Sequence, residues 1–73
     1  MATAKMTGQA ALTQREYEVM ERLAKGRLNK EIAAELGISF SAVHKHQYNI
    51  YRKYHVGNRT EATLKWMSAR TGV

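Results

Sequence analysis

The sequence predicts an all-α fold of four helices, and three observations predict it. Proline is absent, and strong helix formers are frequent. Apolar residues recur at helical spacing in four segments, and each of the three junctions between them contains a glycine. One junction joins a short helical segment, a glycine and a longer amphipathic segment, which is the build of a helix-turn-helix pair.

The first helix starts at Thr13. Thr13-Gln14-Arg15-Glu16 has capping-box spacing, in which the threonine hydroxyl takes the Glu16 amide and the glutamate reaches back to Thr13. Leu12 and Tyr17 stand at hydrophobic-staple positions. Val19, Met20, Leu23 and Ala24 form its buried stripe, and Gly26 supplies a left-handed stop. The charges interleaved around it (Arg15, Glu16, Glu18, Glu21, Arg22, Lys25, Arg27) read as a solvated surface.

The second helix is expected over 29–36, with Ile32, Ala33 and Leu36 inward. Gly37 turns the chain, Ile38 plugs the turn and Ser39 caps the third helix, expected over 40–54. At 100° per residue, Val43, Ile50 and Tyr54 share one side of that helix. Ser41, Lys45, Tyr48 and Arg52 share the other, flanked by His44 and Asn49. Gly57-Asn58 marks a turn, and Asn58-Arg59-Thr60-Glu61 repeats the capping logic for a fourth helix ending near 70. There Ala62, Trp66 and Ala69 make one apolar face, and Leu64 and Met67 lie roughly opposite. A second apolar strip on a terminal helix suggests a partner subunit. Residues 1–11 read as a flexible arm, 12–70 as one domain and 71–73 as a tail.

Charge narrows the function. All six acidic residues are glutamates, and none lies within residues 36–60, where Lys45, Arg52, Lys53, Arg59 and all three histidines fall. The net charge of +6 favours polyanionic partners, nucleic acid first and anionic lipid second. No apolar run is long enough to span a membrane. The cysteine count of zero excludes disulfides and thiolate metal sites, and fits a cytoplasmic setting. A short helix, a turn and a basic amphipathic helix suit a reader of the DNA major groove.

Enzymatic and metal chemistry find no support. His44 and His46 point about 200° apart on a helix, so one ion cannot bridge them. Ser41 beside His44 lacks a third group to complete a triad. Tyr48, Tyr51 and Tyr54 spread over about 120°, which is poor for a stacking platform on single strands. No metal, cofactor or catalytic residue is expected. A phosphorylation-receiving module needs an aspartate acceptor, and these residues contain none.

The segments LTQREYEVM at 12–20, AKG at 24–26, NKEIAAELGIS at 29–39 and VHKHQYNIYRKYHVGNRTEA at 43–62 together resemble a family. It is the LuxR/GerE-type helix-turn-helix of bacterial transcription regulators, which also forms the output domain of NarL/FixJ-type response regulators. The resemblance implies that helices two and three read double-stranded DNA and that helix four carries the homodimer contact, for which the second apolar strip of Leu64 and Met67 is the candidate by spacing. It implies base contacts from His44, Lys45 and Tyr48. Lys30, Ser39, Ser41, Asn49, Arg52, Lys53 and Arg59 map to places near the DNA backbone. RNA polymerase is a further candidate partner, and a free-standing regulator and an excised output domain both fit.

The departures are Ala42 where threonine is common, His44 where lysine is frequent, Leu28 where a polar cap is usual and Tyr54 where leucine is usual. A related promoter-reading domain of sigma factors fits less well beyond Val43. The alternative from another class is a protein-interaction module that binds or sequesters another regulator through helix four.

Overall fold

The computed structural model describes residues 12–71, so the expected arm and the last two residues of the tail lie outside the described residues. Four helices follow in order: α1 (Gln14–Ala24), α2 (Asn29–Leu36), α3 (Phe40–Tyr54) and α4 (Arg59–Thr71). No strand occurs among the described residues.

Each helix starts where its cap allows. Thr13 closes a full capping box on α1: its hydroxyl accepts from the Glu16 amide at 3.1 Å, and the Glu16 carboxylate accepts from the Thr13 amide at 3.0 Å. Leu28 has no cap oxygen to offer α2, so only the return half forms, with the Glu31 carboxylate accepting from the Leu28 amide at 2.8 Å. Ser39 caps α3 by accepting from the Ala42 amide at 3.0 Å. Asn58 caps α4 by accepting from the Glu61 amide, whereas the Glu61 carboxylate reaches one residue further back, to the Gly57 amide.

The helix ends share one device. After α1, α2 and α3 the chain enters positive φ at Gly26 (85°), Gly37 (67°) and His55 (59°). In each case the next residue's amide returns to the carbonyl five back: Arg27 to Arg22, Ile38 to Ala33, Val56 to Tyr51. The left-handed residue after α3 is therefore His55, although Gly57 carried the turn signal in the sequence.

Val19, Met20, Leu23, Ile32, Val43, Ile50, Tyr54, Ala62 and Trp66 form the core, with Leu12, Ala24, Ala33, Leu36, Ile38, Tyr51 and Val56 packed around it. Burial pushes the Tyr54 phenol above its ordinary value. Two expectations need correction. Ala69 is exposed, because α4 outruns the core beyond Trp66. Glu16 is buried rather than part of a solvated surface, because it both caps α1 and meets α3. Tyr17 sets its ring edge against Trp66, with centroids 5.0 Å apart. Arg22 and Arg27 both grip the Glu35 carboxylate, at 2.9 and 3.0 Å, fastening α1 and the following turn to α2.

Candidate nucleic-acid interface

The apolar side of α3 fixes the orientation of its other side. With Val43, Ile50 and Tyr54 buried, Ser41, His44, Lys45, Tyr48 and Arg52 are all exposed, and Asn49 is half-buried beside them. This surface has donors and cations and no carboxylate of its own. The Arg52 guanidinium lies 5.7 Å from the centre of the Tyr48 ring, a cation–π distance that limits its sweep. Asn49, Arg52 and Lys53 line an open cleft of ≈ 210 Å³.

The flanking residues sit differently from one another. Lys30 is exposed on the first turn of α2. The Ser39 hydroxyl is engaged as a cap and lies 3.3 Å from the Ser41 hydroxyl. Lys53 turns to Glu16, with Nζ 2.7 Å from the carboxylate. Arg59 turns inward: Nη1 donates to the Arg27 carbonyl and Nη2 to the Asn29 side-chain oxygen, both at 3.0 Å. Each of those nitrogens keeps a second proton for an outside acceptor.

Burial alone would raise the Glu16 carboxyl. The hydrogen bonds from Lys53 and from the Thr13 amide, with the charges of Lys53 and His46, outweigh it, so the net shift is downward from 4.5. His46 is half-buried on that side of α3.

Two residues that the sequence reading did not single out organise the centre of the site. Gln47 is 6 % exposed, in the apolar stripe between Val43 and Ile50. Its amide exchanges two hydrogen bonds with the side chain of Asn29 at the start of α2. Asn29 Nδ2 also lies 3.2 Å from His44 Nε2. The signal for Gln47 was present, since a polar residue at i+4 from Val43 and i−3 from Ile50 falls on the buried side. Its partner, 18 residues away, had no local signal.

Away from this face, Leu64 and Met67 stand 63 % and 51 % exposed on α4, while Ala62 and Trp66 dock on the core. No helix among the described residues is long and apolar enough to cross a membrane.

Comparison with known proteins places this geometry. A family model described as bacterial regulatory proteins of the luxR family matches residues 10–66. The chain is 51 % identical over 53 residues to the transcriptional regulatory protein UhpA of Escherichia coli, covering 73 % of this chain and 27 % of that protein. It is 41 % identical over 61 residues to the nitrate/nitrite response regulator protein NarP of Escherichia coli, covering 84 % of this chain and 28 % of that one. The crystal structure of the response regulator ChrA, from a heme-sensing two-component system, superposes with a TM-score of 0.79 at 35 % identity, covering 93 % of this chain and 34 % of that one. The chain thus spans about a quarter to a third of the length of these relatives. With four capped helices, a helix-turn-helix at α2–α3 and a family match over most of its residues, the chain belongs to the luxR family of bacterial regulatory proteins.

Proposed function

We propose that this chain binds double-stranded DNA sequence-specifically, with α3 in the major groove, and controls transcription in the bacterial cytoplasm as a dimer. The observation that carries this reading is the exposed, acid-free face of α3. A groove-facing helix needs cations and hydrogen-bonding groups, and no carboxylate that would repel phosphate. His44, Lys45 and Tyr48 face the bases. Lys30, Ser39, Ser41, Asn49, Arg52, Lys53 and Arg59 meet the backbone. Leu64 and Met67 supply the two-fold contact that spaces two α3 helices for paired half-sites.

A second reading has one observation in its favour, the exposure of Leu64 and Met67 beside the docked Trp66. On that reading α4 binds another regulator and DNA affinity is incidental. Salt titration of duplex binding separates the two. Neutralising roughly three to five phosphates per subunit gives a log–log slope near −3 to −5 per subunit. A flat salt response would remove the DNA reading and leave the interaction module.

A further inference from the structure

The Asn29 side chain uses its full hydrogen-bonding capacity. Its oxygen accepts from Arg59 Nη2 and from Gln47 Nε2, and its Nδ2 donates to Gln47 Oε1. The remaining Nδ2 proton faces His44 Nε2 at 3.2 Å. This order has one fixed point. A guanidinium can only donate, so the atom of Asn29 facing Arg59 must be its oxygen. The amide nitrogen then faces His44, and its proton needs a lone pair to receive it. His44 Nε2 can supply that lone pair only without a proton of its own. A neutral imidazole whose Nε2 accepts carries its proton on Nδ1.

We propose that Arg59, acting through Asn29, holds His44 in the neutral Nδ1–H tautomer, so that His44 meets DNA as a hydrogen-bond donor. The ring is also steadied from α3, where Phe40 lies against it with centroids 4.9 Å apart at 54°. With Nε2 engaged, the other ring nitrogen of this exposed residue offers a proton and no lone pair. In the major groove that N–H matches purine N7, guanine O6 or thymine O4, and it disfavours the amino groups of adenine and cytosine. Arg59 and Asn29 are positioning residues in this scheme. A residue on α4 thereby sets what α3 can read, through one amide at the start of α2.

The tautomer half of this inference is independent of DNA, whereas the readout half rests on the function proposed above. Two measurements test them separately. The first is long-range ¹H–¹⁵N correlation of the histidine rings in the free, ¹⁵N-labelled full chain at mildly alkaline pH. His44 should show a protonated Nδ1 and an unprotonated Nε2. Asn29→Asp, whose carboxylate has no proton to give, should move the proton to Nε2. A wild-type His44 already protonated at Nε2 overturns the proposal without any variant, and so does an Asn29→Asp ring pattern unchanged from wild type.

The second measurement uses a duplex selected from a random pool by the purified chain, with 7-deazapurine placed at each purine of the half-site in turn, and with guanine O6 and thymine O4 each replaced by sulfur. One replacement should weaken wild-type binding about tenfold and leave His44→Ala binding unchanged. If no replacement separates wild type from His44→Ala, the donor readout is overturned while the tautomer result stands. Failure to select any duplex would instead sink the DNA reading.

Discussion

Among the cations of the α3 surface, Lys45 and Lys53 differ in what else they do. Lys45 is exposed and has no ion-pair partner among the described residues, so its removal should touch recognition alone. Lys45→Ala should lower discrimination between selected and random duplex by about 1–3 kcal/mol and leave the unfolding temperature unchanged. Equal losses on both duplexes would remove it from the base-facing set. Lys53→Ala should weaken all duplexes alike, and it also strips a buried carboxylate of its counter-ion. Glu16 therefore links stability to pH. Its folded-state value lies below 4.5, so its ionised partnership with Lys53 is present in full above that pH and is lost as pH falls through the folded value. Glu16→Gln should cost about 1 kcal/mol at neutral pH. Thermal melts across an acid series should show the wild-type and Glu16→Gln curves converging as pH drops. Parallel curves would mean that the carboxylate charge contributes nothing.

At the scale of the element, the helix ends carry a contrast. Gly37 and His55 occupy the same left-handed position after α2 and α3, at φ 67° and 59°. A Cβ on Gly37 would meet nothing within 4 Å, so the cost of Gly37→Ala is purely conformational. That cost is about 1 kcal/mol. The mirror change, His55→Gly, should stabilise by about 0.5–1 kcal/mol. Denaturant midpoints measured at constant slope check both, and two shifts of the same sign would contradict this account. The helix spans were legible because caps are local: Thr13, Ser39 and Asn58 announce themselves within three residues of the amides they satisfy. His55 was not legible, since glycine is the usual mark of that turn and here it comes two residues later. The pairing of Glu16 with α3 and the place of Asn29 in the site were not legible either. They rest on Lys53 and Gln47, which folding brings to these residues from 37 and 18 positions away.

For the whole molecule, α4 has one side committed and one side open. Ala62 and Trp66 are buried against the core, and Leu64 and Met67 are not. A contact one helix wide falls well below the ~1,600 Å² of a standard interface, so the free chain should be mostly monomeric and DNA should consolidate the pair. Leu64→Glu should leave helicity and thermal unfolding nearly unchanged and abolish cooperative filling of paired half-sites, sparing weak single-site binding. Footprinting on half-sites one helical turn apart reads this out. Cooperative filling by Leu64→Glu would place the dimer contact elsewhere. The outer face of α3 and the split character of α4 were both legible from helical spacing. The end of the docked face was not, because Ala69 is small enough to read as apolar lining and yet lies past the last core residue.

The edge-on pairing of Tyr17 with Trp66 has an optical consequence. The sequence holds one tryptophan, and that indole lies where α4 meets α1. With ring centres 5.0 Å apart, excitation absorbed by Tyr17 passes to the indole before the phenol can emit. The native chain therefore carries a built-in donor–acceptor pair that reports whether α4 is seated. Detachment of α4 alone would restore phenol emission and shift the indole spectrum to the red while the ellipticity of α1–α3 persisted. Fluorescence and circular dichroism on the same unlabelled sample thus separate the loosening of one helix from the collapse of the domain.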